Sequence, residues 1–120
     1  MKKLISLFVL SLGVFVSAFA QDVKTVNLQQ TNGEFTVTEL KLKEGTYVFE
    51  IENTGVDHEL GFVLAPKGKT DKAHHIQNAY VQKLVAKGKT ESSKEVKLEK
   101  GEYVYFCPLN PTPQYKLIVE

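Results

Sequence analysis

Apolar and polar residues alternate along most of this chain with a period of two, which is typical of strands that bury one face. The pattern is clearest over residues 46–53, where Tyr47, Phe49 and Ile51 alternate with more polar side chains. Turn residues separate the segments, and Asn32-Gly33 is a strong hairpin signal. The predicted strands cover residues 23–28, 34–42, 46–53, 58–64, 95–98, 101–107 and 115–119.

One segment, residues 71–86, has the period of a helix instead. Thr70 stands where an N-terminal cap belongs, and Gly88 where a C-terminal cap belongs. The apolar positions that form one stripe are Ala73, Ile76, Tyr80 and Leu84. Many short strands and a single short helix predict an all-β fold, a β-sandwich with one helix between its strands.

The first twenty residues have a different pattern, that of a secretory signal. Lys2 and Lys3 precede an apolar run over residues 4–16, and Ala18-Phe19-Ala20 forms a cleavage site. The apolar run is too short for a membrane span. We therefore expect cleavage of residues 1–20, export to the periplasm or the medium, and a single domain over residues 21–120 with no membrane span.

The composition narrows the classes of function. All 15 basic residues are lysines, so the side chain best suited to bidentate phosphate recognition is absent, and nucleic acid is not an expected partner. No catalytic motif stands out, and we predict no enzymatic activity. Several lysines surround the predicted helix and form either a docking face for an acidic redox partner or an ordinary solvated face. They are Lys67, Lys69, Lys72, Lys83, Lys87 and Lys89.

The most informative residue is the only cysteine, Cys107. Exported cysteines usually pair with one another, but this one has no partner in its own chain. A lone thiol in such a protein is a metal ligand, half of an intermolecular disulfide, or a buried side chain that acts as a small hydrophobe. The sequence leaves all three open.

Two segments resemble the cupredoxins, the small blue copper proteins of the plastocyanin and azurin type. The aromatic strand that starts at Gly101 and ends at Cys107-Pro108 is similar to the cysteine strand of that family. Residues 52–60 contain an Asn-x-Gly turn and then His58, and are similar to the segment with the family's first histidine ligand. The resemblance implies a cupredoxin-like Greek-key β-sandwich.

A blue copper site needs two imidazoles, one thiolate and a weak axial ligand. By the resemblance, His58 and Cys107 match two of these positions. The second histidine is missing, because Asn110 and Thr112 stand at the spacings where the family commonly has it.

Three residues of this chain, or a ligand supplied by a partner chain, could complete such a site. Gln114 is a candidate axial ligand, and its alternative is a surface glutamine. His74 or His75 could replace the missing imidazole, and their alternative is a solvent-facing position on the predicted helix.

The leading hypothesis is therefore a copper protein with a modified site at His58 and Cys107, which transfers electrons or handles copper with a redox or copper-transfer protein as its partner. The rival hypothesis is a copper-free binding or structural module with the same fold, since a fold alone does not define a function.

Overall fold

The computed structural model describes residues 22–120, so the predicted signal segment lies outside the described residues. This part of the chain is built of short strands. They are β1 (Val23–Thr31), β2 (Glu34–Phe35), β3 (Glu39–Leu42), β4 (Gly45–Asn53), β5 (Val63–Pro66), β6 (Thr90–Ser92), β7 (Val96–Leu98), β8 (Gly101–Phe106) and β9 (Tyr115–Val119).

The strands form two sheets. One has the order β2-β1-β4-β6, with β7 also paired to β4, and the other has the order β3-β9-β8-β5. The pairs β1–β4 and β3–β9 are parallel, and the remaining pairs are antiparallel. The prediction of an all-β fold with two packed sheets is confirmed.

The core lies between the sheets, as the alternation over β4 predicts. Phe49 and Ile51 are fully buried, while Glu50 between them is partly exposed. Aromatic rings from both sheets meet edge to face or tilted, with centroids 5.2 Å apart for Phe35 and Tyr105 and 5.1 Å apart for Phe49 and Phe62. Such pairs add to the stabilisation that burial alone gives.

The prediction of a helix over residues 71–86 is wrong. The segment contains only two 3-10 turns, Lys72–His74 and Gln77–Ala79, with extended residues between them. Within the segment the backbone makes only short bonds between residues three apart, and other groups bond across the fold: Ile76 N donates to Leu64 O at 2.8 Å, and Val85 pairs with Leu60. Tertiary hydrogen bonds thus override a moderate local helix propensity.

Two strand boundaries also differ from the prediction. Residues 34–42 do not form one strand, because β2 belongs to one sheet and β3 to the other. The strand expected from residue 58 starts only at Val63, and β6 was not predicted. The expected turn at Asn32-Gly33 does join β1 to β2, with φ +75° at Gly33.

Candidate metal centre and the adjoining cleft

His58, Cys107 and Gln114 belong to loops at one end of the sandwich, where β1, β4 and β8 finish and β5 begins. Phe106, the last residue of β8, lies opposite Val63, the first residue of β5. Two loops cover this end: residues 54–62 between β4 and β5, and residues 107–114 between β8 and β9.

Cys107 is a free thiol with no exposed surface, and it belongs to the hydrophobic core. Its Sγ accepts a hydrogen bond from the backbone N–H of Gly61 at 3.3 Å. Its own N–H donates to Oγ1 of Thr112 at 2.9 Å. Of the three readings that the sequence left open, the geometry argues against the intermolecular disulfide, because a residue with no exposed surface cannot join another chain unless the loop opens.

A buried amide network holds the loop after Cys107 against β1. The Asn110 side chain, 3% exposed, accepts from Gly33 N at 2.8 Å and donates to Gln30 Oε1 at 3.1 Å and to Thr31 O at 2.8 Å. Gln30, fully buried, also donates to Gly61 O at 2.8 Å. Asn110 therefore uses its carbonyl oxygen and its amide nitrogen within the protein.

His58 lies on the outside of the loop between β4 and β5. Its side chain is exposed, and its Nδ1 is 3.1 Å from the carbonyl oxygen of Glu59. The loop turns through Asn53, whose Oδ1 accepts from Val56 N at 2.8 Å and whose Nδ2 donates to His58 O at 3.0 Å. Three side chains of this loop enter the core, those of Val56, Leu60 and Phe62, and Leu60 is fully buried.

The other candidate ligands have local partners or face solvent. His74 is exposed, and its Nδ1 is 2.8 Å from the Asp71 carboxylate, a hydrogen bond that holds the pKa of Asp71 below its usual value. Gln114 is exposed.

His75 is held at both ring nitrogens. Nδ1 is 2.8 Å from the Tyr80 hydroxyl and Nε2 is 2.9 Å from Thr70 O. Because a carbonyl oxygen only accepts, Nε2 is the donor of the bond to Thr70 O, and Nδ1 is hydrogen-bonded to the Tyr80 hydroxyl.

The donor set of an ordinary blue copper site does not fit these positions. Over residues 22–120, no group of three or more His, Cys, Asp or Glu side chains is arranged to hold a metal ion. Asn110 and Thr112, at the spacings of the missing histidine, are committed to hydrogen bonds within the loop. The joint ligation of a metal by Cys107 and His58, and ligand roles for Gln114, His74 or His75, stay predictions.

An apolar cleft of about 440 Å³ opens beside the Cys107 loop. Its two most exposed apolar side chains are Leu84 (43%) and Leu109 (49%), and a Cβ built on Gly61 would lie 3.8 Å from a methyl carbon of each. The sequence pattern gave no sign of this cleft, because it predicts Leu84 on the apolar stripe of a helix and Leu109 in a loop. The other lining residues are Phe62, Val63, Lys72, His75, Tyr80, Val81 and Pro108.

The lysines around this region do not share one role. Lys87 bonds to Asp57 at 2.7 Å, which raises the pKa of the lysine and lowers that of the carboxyl group. Lys67 pairs with Glu102 at 3.1 Å. Lys72 lines the cleft and has no ion-pair partner among residues 22–120.

Together these features define a two-sheet β-sandwich with a buried thiol under a proline-rich loop. The family model of the cupredoxin-like domain matches residues 3–119, so the chain belongs to this family. The resemblance of the two quoted segments is thereby confirmed. A comparison with curated protein sequences finds no match.

The solved structures with the same fold include a blue copper protein, auracyanin A. Auracyanin A of Chloroflexus aurantiacus has a TM-score of 0.67 at 19% identity, covering 82% of this chain and 100% of its own. Amicyanin of Paracoccus versutus has a TM-score of 0.55 at 20% identity, covering 80% and 81%. At such identities the likeness establishes the cupredoxin β-sandwich alone. In the part of the chain described, no helix has the length and apolarity needed to cross a membrane.

Proposed function

We propose that this chain is an exported, copper-free binding module of the cupredoxin-like family, and that it recognises its ligand at the cleft beside the Cys107 loop. One observation carries the proposal. Leu84 and Leu109, the two large apolar side chains with the greatest exposure among residues 22–120, approach the same point above Gly61. Exposed apolar surface that is gathered at a cleft is typical of a binding site.

The chemistry around Cys107 supports the copper-free part. The Sγ atom accepts a backbone hydrogen bond, and Cys107 is fully buried as part of the hydrophobic core. The amide of Asn110 holds the loop to β1 by hydrogen bonds, so the loop has its conformation without a bound ion. The N-terminal pattern of Lys2, Lys3 and the apolar run supports export.

The cleft is tested with Nile red, an uncharged dye that fluoresces in apolar surroundings. Residues 21–120 are expected to bind one dye molecule, and the double variant Leu84→Ser, Leu109→Ser is expected to lose this binding while it keeps its thermal unfolding midpoint. Ala86→Ser is the control, since Ala86 is exposed and does not line the cleft. Dye binding that is absent, or unchanged in the double variant, would contradict the proposal.

A second candidate is copper handling through Cys107 and His58, with a redox or copper-transfer protein as the partner. It is favoured by the free thiol of Cys107 and the exposed imidazole of His58, because thiolate and imidazole are ligands that suit copper. One of the structures named above, auracyanin A, is a blue copper protein, and this similarity also supports copper handling.

An anaerobic titration with Cu(I) and then Cu(II), followed in the visible spectrum, separates the two candidates. Under the copper-free proposal, no stoichiometric binding occurs and chelators leave the unfolding midpoint unchanged. One equivalent of copper, bound by the unaltered protein and lost in both Cys107→Ser and His58→Ala, would establish the second candidate and overturn the first.

A further inference from the structure

We infer that the ligand of this cleft is a small amphipathic carboxylate, an acyl or aryl acid whose apolar body lies between Leu84 and Leu109 and whose carboxylate faces Lys72. The inference rests on the proposed function, since it names the ligand class of the same cleft. It follows from the shape of the apolar floor of the cleft, formed by Gly61, Phe62 and Val63, and from the positive charge of Lys72 on its wall.

The floor has room for an apolar chain because residue 61 is a glycine. Phe62 and Val63 continue the floor and are buried, and the exposed Leu84 and Leu109 stand on either side. A volume of about 440 Å³ is within the usual range of small-ligand sites. A predominantly apolar site with a few polar groups at one wall suits a ligand that has an apolar body and one polar head.

The wall contributes positive charge and no negative charge. Among the lining residues there is no aspartate or glutamate, and Lys72 and His75 are the basic ones. The ring of His75 is fixed by Tyr80 and Thr70, so it shapes the wall and leaves its nitrogens engaged. The exposed ammonium group of Lys72 is therefore the group that would meet an anionic head.

The probes are two ligands that share a ten-carbon chain and differ in charge, decanoate and decyltrimethylammonium, both used below their micelle concentrations. Residues 21–120, labelled with ¹⁵N, are titrated with each, and amide shifts are followed by NMR. We expect saturable shifts at the amides of Gly61, Leu84 and Leu109 with decanoate, and about tenfold weaker binding of the cation, because Lys72 attracts one head and repels the other.

Variants locate the site. Gly61→Val fills the floor and is expected to weaken decanoate at least about tenfold, and Gly61→Ala, whose Cβ meets only ordinary contacts at 3.8 Å, gives a milder loss with the fold intact. Lys72→Gln is expected to weaken the binding of decanoate and to strengthen the binding of the cation, because the repelling ammonium group is removed. The matched control is Lys41→Gln, on β3 and outside the cleft lining.

The outcomes separate this inference from the proposed function. Equal binding of the two ligands, or decanoate binding that Gly61→Val and Lys72→Gln leave unchanged, overturns the carboxylate assignment. Nile red binding without decanoate binding also overturns it, leaves the cleft as a binding site, and points to a protein partner instead. If neither the dye nor decanoate binds, the proposed function fails together with the inference.

Discussion

The two loops at the Cys107 end have an inner side and an outer side with opposite chemistry. On the inner side, Leu60 and Asn110 are buried, and the polar atoms of Asn110 are hydrogen-bonded. On the outer side, His58 and Leu109 are exposed, and Leu109 is apolar. Buried polar groups are costly unless they are paired, so the inner side is built for stability. Exposed leucines add nothing to the core, so the outer side is free to serve recognition.

The largest difference in the free energy of unfolding is expected between variants of two leucines, one on the inner side and one on the outer side. Leu60→Ala removes a fully buried side chain and should cost about 2–5 kcal/mol of unfolding free energy. Leu109→Ala should change it by no more than about 0.5 kcal/mol, because Leu109 is half exposed. Urea unfolding of residues 21–120, followed by circular dichroism, measures both. Similar losses for the two variants would show that the outer leucine belongs to the core.

The amide network should give the next largest effect. Asn110→Ala leaves the N–H of Gly33, the carbonyl of Thr31 and the side chain of Gln30 without their partner, and should cost about 2–4 kcal/mol. The control is Asn78→Ala on the surface, where the amide donates to Glu95 O at 3.2 Å, with a loss of at most about 0.5 kcal/mol.

A double-mutant cycle shows whether this loss comes from the network. Asn110→Ala combined with Gln30→Ala should lose less than the sum of the single variants, with a coupling of about 0.5–3 kcal/mol, because the two amides bond to each other. Strict additivity would mean that Asn110 stabilises the loop independently of Gln30.

The sequence predicted the sandwich well, but it gave no sign of the amide network or of the apolar cleft, for physical reasons. A strand such as β4 has its whole pattern within nine consecutive residues, so the buried face can be recognised locally. The amide network joins Gln30 to Asn110, 80 residues away, and no local pattern reports such a bond. The end of the sandwich is made of loops, and it contains the features that the pattern missed.

The position of His58 is the clearest case. The alternation of apolar and polar residues predicts a strand from residue 58. In the structure a turn fixed by the side chain of Asn53 occupies this segment and determines which residues face inward. Leu60 consequently enters the core and His58 faces solvent. The prediction of a helix was wrong for a similar reason, because the backbone N–H of Ile76 bonds to Leu64 O across the fold instead of to a carbonyl within a helix.

A smaller effect is expected at Thr112, which closes the loop from the inner side. Thr112→Val removes the acceptor of the Cys107 N–H, and should cost about 1 kcal/mol. Thr112→Ser keeps the hydroxyl and should recover most of this stability. The urea midpoint of both variants provides the measurement. If the serine variant is as unstable as the valine variant, the methyl group matters more than the hydrogen bond.

The smallest effect is expected on the outer side, at the pair of Asp57 and Lys87. The hydrogen bond and the charge of Lys87 hold the pKa of Asp57 below its usual value, so the pair stabilises the fold above the unfolded pKa of Asp57. This contribution is lost as the pH falls through the lower, folded pKa. Since both side chains are largely exposed, solvent and salt screen the pair, and Asp57→Asn should reduce stability only slightly at pH 7.

The measurement for this pair is the urea midpoint of the unaltered protein and of Asp57→Asn at pH 7 and at decreasing pH, in low and high salt. The difference in urea midpoint between the two proteins should shrink on acidification and in high salt. Lys87→Gln should lower the midpoint by a similar small amount, and combining it with Asp57→Asn should lower it no further. A difference that persists unchanged in acid would mean that Asp57 acts through its size or its backbone, and not through its charge. The outer side would then share the structural role that we assign to the inner side alone.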